Sequence, residues 1–195
     1  MRLSEPRLAP LAREDWPAET REVMQRFQRP ESPGTGDALN IFKTLAHHPD
    51  LLKRWTVFGN HVLYKSTLSA REREIAILRV GWLCRAEYEW AQHVVIGRKA
   101  GLSDEDIENI AAGPEAPGLD PFEAVLLRAV DELHADSMIG EDTWKALAER
   151  YEAQQLIDLV FAVGQYHLVS MALNTLGVQL DPGLEGFPDT ADAGD

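Results

Sequence analysis

Positive charge, cysteine and long apolar runs are what this sequence has little of. Among 195 residues, Lys and Arg number 19 against 32 Asp and Glu, giving a formal net charge of −13. A surface of that sign repels phosphate backbones and anionic lipid headgroups, so neither nucleic acid nor membrane is an expected partner. The single cysteine, Cys84, excludes an internal disulfide and a multi-cysteine metal site. No uninterrupted apolar run approaches the ~20 residues that span a bilayer. Met1 to Pro6 lacks the apolar stretch of a secretory signal, and the expected location is the cytoplasm. Strand-type alternation is also missing, which leaves no sheet to build.

What is present is a helical period over most of the chain, with 45% hydrophobic residues, an ordinary share for a globular domain. The expected fold class is therefore all-α, a bundle of about eight helices. Asp15-Trp16-Pro17 opens a helix to about Phe27, and the Pro, Gly, Ser and Thr residues between Arg29 and Asp37 make a loop. A short helix spans 38–46, and Pro49 starts another with Leu51, Leu52, Trp55, Phe58, Val62 and Leu63 on its apolar face. Ser69 and Glu72 form a capping box ahead of a helix to about Cys84, and Glu87 to Ala100 is the next. Ser103 caps a helix that Gly113-Pro114 stops, and 113–118 is the expected hinge. Asp120-Pro121 launches a helix to about Ala135, followed by helices from Glu141 to about Tyr151 and from Ala153 to Leu176. One domain over 1–180 is expected, with a core motif region at 40–112 and C-terminal helices at 120–177. Residues 181–195 read as a flexible acidic tail.

The densest reactive set is Glu74 on one helix and Glu87, Tyr88, Glu89 and His93 on the next. Glu89 and His93, four apart, meet on one helical face, and a carboxylate on one imidazole nitrogen fixes the tautomer and raises basicity. That is the make-up of an oriented general acid or base, although the same spacing also occurs as a solvated surface pair. Among the other histidines, His47-His48 before Pro49 suits helix capping, and His61 suits core packing. His167 beside Tyr166 is a candidate pocket residue. His134 lies in an acidic stretch that attracts cations, yet no Glu-x-x-His or His-Glu-x-x-His pattern calls for a metal. Trp16, Trp55 and Trp144 are assigned to core or interface.

Leu68-Ser-Ala-Arg-Glu-Arg-Glu-Ile-Ala-Ile-Leu-Arg-Val80, then Cys84-Arg-Ala-Glu-Tyr-Glu-Trp-Ala-Gln-His93, then Lys99-Ala-Gly-Leu-Ser-Asp-Glu-Asp-Ile107 resemble the carboxymuconolactone decarboxylase family. That family also contains the AhpD-type alkylhydroperoxidases. The resemblance is close over about 40–112 and looser out to Gly177. It implies an AhpD-like helical bundle, homo-oligomeric as a dimer, trimer or hexamer. In the hydroperoxidase branch a Cys-x-x-Cys pair precedes the histidine by four residues, with a glutamate of the preceding helix in a proton relay. The histidine falls on His93 and the glutamate on Glu74, but the cysteine positions fall on Ala86 and Glu89. Thiol–disulfide cycling needs two sulfurs, so the peroxidase chemistry is not carried over.

The implied activity is a cofactor-independent, carboxymuconolactone decarboxylase-like lyase acting on a small carboxylic or lactone substrate of aromatic catabolism. His93 is the expected proton donor, with Glu89 orienting it, Glu74 completing the relay and Tyr88 adding a hydrogen bond. Arg79, Arg85, Trp90 and His167 are the expected substrate-binding residues, the arginines being needed to draw an anion to an acidic protein. Arg71 and Arg73, beside the capping box, suit ion pairing with Glu72 and neighbouring acids. The alternatives are an alkylhydroperoxidase-like antioxidant protein and a non-catalytic helical interaction module.

Overall fold

The fold is laid out around one helix that is buried on nearly every side. The computed structural model describes residues 2–25 and 38–188, and among these all regular structure is helical. After a 3-10 turn at Arg13–Asp15 come α1 (Ala18–Gln25), α2 (Asn40–Leu45) and α3 (Pro49–Tyr64). They are followed by α4 (Ala70–Leu83), α5 (Glu87–Lys99) and α6 (Asp104–Ala112), then α7 (Pro121–Asp136), α8 (Glu141–Ala148) and α9 (Ala153–Leu176). The all-α expectation holds, with nine helices among the described residues. The N-terminal helix expected from Trp16 to Phe27 starts at Ala18, and its last two residues and the 29–37 loop lie outside the described residues.

Local chemistry sets the boundaries. Ser69 accepts from the Glu72 amide while Glu72 reaches back to Ser69, and Ser103 and Asp106 repeat the device on α6. Asp120 accepts from the amides of Phe122 and Glu123 at the start of α7. Gly177 ends α9 at φ 70°, and a Cβ there would stand 3.0 Å from the Glu5 carbonyl oxygen. Glycine is thus required twice, for the left-handed turn and for the close passage of residues 5–7.

α4 packs against α5, α7 and α9. Its Ile75, Ile77, Leu78 and Val80 meet Leu126, Leu127 and Val130 of α7 and Leu159, Ala162 and Val163 of α9 in the main core. Burying such side chains is worth roughly 1.5–3 kcal/mol each. Three charged residues go down with them, and each is paired: Glu72 with Arg150, Glu74 with Arg73 and His93, and Arg79 with Asp131. Unpaired, a charge at these depths would be several kcal/mol too costly to keep.

Two expectations about organisation are corrected. The start of the 113–118 stretch is held, because Arg79 donates to the carbonyls of Ile110 and Ala111 just before it and its guanidinium lies against Gly113. With α4 packed on α7, the segments on either side of that stretch share one core. The segment from 181 is docked as far as it is described: Asp181 bonds Asn40, Tyr88 and Gln92, and Phe187 packs on Trp82 and Trp90. Residues 189–195 lie outside the described residues. α9 also meets the length and composition of a membrane span, but half of that stretch is buried in the fold, as in a core helix.

Candidate active site

His93 points from the middle of α5 into the seam with α4, where it is 5% exposed. Its Nδ1 lies 2.6 Å from Glu74 Oε2 and its Nε2 2.9 Å from Glu89 Oε1. Carboxylates only accept, so with both ionised each ring nitrogen carries a proton and the ring is an imidazolium. Burial alone would lower the His93 pKa, but Glu74 first and Glu89 second outweigh it and raise it to about 9. Glu74 is fully buried, and its other oxygen takes Arg73 Nε at 3.1 Å. Arg73, Glu74, His93 and Glu89 together carry no net charge. Tyr166 of α9 stands edge-on to the imidazole at 4.9 Å. Burial pushes its phenol well above the usual range, and the charges of Glu89 and Glu74 push the same way.

The seam follows from local sequence. α4 ends in a tight turn in which the Ala86 amide donates to the Gly81 carbonyl and Arg85 takes a left-handed φ of 49°. The chain reverses there, so α5 runs back along α4. The two helices run close at Gly81, where a Cβ would meet the Trp90 backbone nitrogen at an ordinary contact of 3.5 Å.

The structure thus brings Glu74, Glu89 and His93 together, and places the other candidates elsewhere. Tyr88 turns to the far side of α5, where its hydroxyl bonds Asp181 at 2.5 Å and receives the Ile41 amide and the Gln92 side chain. Adjacent helical residues diverge by about 100°, so Tyr88 cannot share the face of Glu89. Arg79 forks onto Asp131 at 2.6 and 2.8 Å and spends its remaining donor on carbonyls of α6, which removes it from substrate binding. Arg85 sits at the α4–α5 turn with other contacts of its own. Trp90 is core, packed between Trp82 and Phe187. His167 bonds His134. Arg73 pairs with the neighbouring acid Glu74, as expected, while Arg71 pairs with Asp106 and Glu123 of α6 and α7.

The remaining histidines also differ from expectation in part. His61 is half exposed, 3.7 Å from Asp158, and not in the core. His48 caps the N-terminus of α3 by accepting the Leu51 amide, while His47 donates to the Ala9 carbonyl. Trp144 is exposed, whereas Trp16 is core. Tyr166 and Arg73 were missed as neighbours of His93. Adjacency to Glu74 was the available signal for Arg73. A concavity of about 240 Å3, open solvent included, lies on the Tyr88 side of α5 and is walled by Arg2, Glu87, Tyr88, Asn174, Gly177 and Val178; His93 is not among its walls.

Residues 49–132 match the carboxymuconolactone decarboxylase family. No curated protein matches the sequence. Several solved structures share the fold. An uncharacterized peroxidase-related protein from Ralstonia eutropha JMP134, described as an alkylhydroperoxidase AhpD core, is 20% identical, with a TM-score of 0.77 over 90% of this chain and 92% of its own. An uncharacterized peroxidase-related protein from Silicibacter sp. TM1040 is 18% identical, with a TM-score of 0.76 over 92% and 96%. A cysteine-to-alanine variant of the debrominase Bmp8, solved with 2,3,4-tribromopyrrole, is 13% identical, with a TM-score of 0.71 over 92% and 94%. At these identities the likeness is one of fold.

Proposed function

We propose, from the match of residues 49–132 to the carboxymuconolactone decarboxylase family and the fold shared with an AhpD core protein, that this chain is a cofactor-independent carboxy-lyase working by proton transfer. The observation that carries the reading is the imidazolium of His93 held between two carboxylates in a water-poor seam. In such a reaction the bond from carbon to the substrate carboxylate breaks and CO2 leaves. The electron pair moves onto a conjugated carbonyl as an enolate, and a proton is delivered to carbon, so no oxidant or reductant takes part. Fixed dipoles in a dry site favour the developing enolate, and the positioned acid supplies the proton.

Arg73 and Glu74 hold one side of His93 rigidly. The Nε2 proton shared with Glu89 is the one to be delivered, and the relay is recharged from water. Arg71, Arg73 and Arg79 are all engaged by acids of the protein, so a lactone acid or keto acid with a single carboxylate is a better substrate than a dianion. A second copy of the chain belongs to the proposal, because Ile157, Phe161, Leu168 and Met171 leave an apolar stripe exposed along α9. Light scattering on the purified protein tests that assembly.

The activity test is CO2 release from a panel of small lactone acids and β-keto acids, with and without a thiol reductant. Turnover independent of reductant, lowered about 100-fold or more by His93→Gln in a protein with unchanged circular dichroism, is expected. Turnover retained in that variant overturns the assignment. Peroxide consumption that disappears in Cys84→Ser would instead favour the hydroperoxidase reading.

A further inference from the structure

Away from the His93 seam, three ligand-bearing side chains from three helices converge on one point of the surface. Cys84 comes from the C-terminal cap of α4, His134 from the last turn of α7 and His167 from the middle of α9. Their sequence separations are 50 and 33 residues, so the meeting is a product of the fold. His134 Nδ1 lies 2.9 Å from His167 Nε2 and 4.0 Å from Cys84 Sγ, and all three ligand atoms fall within 4.8 Å of one another. We propose that Cys84, His134 and His167 form a binding site for a zinc-class divalent cation, with a fourth position open to solvent.

The chemistry of the trio fits that ion. His167 Nδ1 stands 2.9 Å from the Val163 carbonyl, which can only accept, so Nδ1 carries the proton. In neutral His167 this leaves the Nε2 lone pair facing His134, which is the tautomer a metal requires, fixed by an outer hydrogen bond as is usual for ligating histidines. Without an ion, the short contact between the rings is satisfied by one proton on His134 Nδ1; a cation takes the place of that proton.

Zinc binds histidine nitrogen at about 2.0–2.1 Å and thiolate sulfur at about 2.3 Å in a tetrahedron, which sets ligand-to-ligand edges of about 3.3–3.6 Å. The two distances to His134 bracket those edges, so seating the ion needs the imidazoles to part by about 0.4 Å and the Cys84 sulfur to approach by about 0.5 Å, both within side-chain movement. Two imidazoles and a thiolate form a borderline-soft donor set that suits zinc over the oxygen-seeking magnesium and calcium.

The surroundings hold Cys84 in place. Asn174 Nδ2 and Arg2 Nη2 both donate to its carbonyl, at 2.9 and 3.1 Å. Burial pushes the free thiol up, while the neighbouring Ser170 hydroxyl and then Arg2 favour the thiolate. Ser170 is fully buried, and its hydroxyl makes no hydrogen bond of ordinary geometry, the Cys84 sulfur being its neighbour. A metal-bound thiolate is the acceptor that this orphaned donor lacks. Asp131 and Glu89 add negative charge near the trio, against Arg79 and Arg2 of opposite sign. The site is separate from the Glu74–His93–Glu89 cluster and does not depend on the reaction proposed for it.

The test uses the full chain, stripped with chelator and titrated with zinc chloride by calorimetry and with cobalt chloride by absorption spectroscopy. One equivalent is expected to bind. Cobalt should give the near-ultraviolet thiolate charge-transfer band and the strong visible bands of a tetrahedral site. His134 is exposed, so His134→Ala should keep the fold by circular dichroism and lower zinc affinity at least about tenfold. Cys84→Ser should abolish the charge-transfer band. Cobalt bound without that band, or zinc bound equally well by His134→Ala and His167→Ala, would mean adventitious binding by surface carboxylates and would overturn the proposal.

Discussion

Glu74→Gln removes the charge that does most to raise the His93 pKa, with little steric change. In the native chain, burial opposes the charge on His93, but Glu74 and Glu89 carry its pKa from the ordinary 6.5 to about 9. A group whose pKa is raised on folding contributes stability that is complete below the unfolded value and disappears as pH rises through the folded one. At about 1.4 kcal/mol per pH unit, the displacement from 6.5 to about 9 corresponds to about 3 kcal/mol. Urea unfolding between pH 6 and 10 should therefore show the native protein losing about 3 kcal/mol from pH 6.5 to 9, then levelling.

The amide that Glu74→Gln introduces can still accept the Nδ1–H but supplies no charge. The His93 pKa should then fall, most of the pH dependence should vanish, and the two proteins should converge in stability near pH 9. The charged and titratable groups facing the imidazole are Glu74, Glu89, Arg73 (through Glu74) and Tyr166, so His93 is the member of the cluster whose titration this window reads. Proton NMR of the His93 ring, followed over the same range, reads the titration directly. A flat stability profile in the native protein, or the same slope in Glu74→Gln, refutes the account of the buried imidazolium.

Arg79→Met strands the Asp131 carboxylate and two α6 carbonyls, and should cost roughly 3 kcal/mol in urea unfolding. An unchanged transition would show the pair to be dispensable. Gly113→Ala places a Cβ 2.8 Å from Arg79 Nη2 at a φ of 107°, and a loss of about 1–3 kcal/mol is expected by calorimetry. Tyr88→Phe removes the phenol that joins Asp181, Ile41 and Gln92, and should cost about 1–2 kcal/mol. Limited proteolysis in 181–188 should quicken several-fold in that variant; cutting at the native rate would argue that other contacts hold the segment. Ser69→Ala should lower stability by about 1 kcal/mol through loss of the α4 cap, read from the melting temperature.

Helix ends were legible in the sequence because their signals are local. Ser69 with Glu72, Ser103 with Asp106, Asp120 before Pro121, and Gly177 each declare a boundary within a few residues. The Glu89–His93 contact was legible for the same reason, since four residues make one turn. Glu74 stood out as part of a dense reactive set, but its relay role came from family resemblance; its contact depends on how sharply Cys84 to Ala86 turn the chain, which no periodicity reports. Arg79 misled because a buried arginine and a substrate-binding one look alike until Asp131, 52 residues on, is seen to hold it. Tyr88 and His167 misled by adjacency, since each is next in sequence to a residue of the His93 cluster yet faces another way. The Cys84–His134–His167 trio and the docking of Phe187 are long-range events with no local trace.

Leu176 accepts the backbone amides of Arg7 and Leu8 at 3.0 and 3.2 Å, and Gln179 reaches the Leu3 carbonyl at 3.2 Å. These bonds join the beginning of the described chain to the far end of its longest helix, across more than 165 residues. During synthesis, Arg2 can reach the Cys84 carbonyl once α4 has formed, but Leu3, Arg7 and Leu8 have no partner at the end of α9 until that helix has emerged, so this clasp closes late and against the entropy of a very long loop. The same timing applies to Tyr166, whose ring completes the surroundings of His93. The order of assembly is thus written into the connectivity: α4 and α5 can pair as neighbours early, but the His93 cluster is not enclosed until α9 docks. A truncation that removes residues 2–8 should accordingly leave the α4–α5 pair intact while loosening the end of α9.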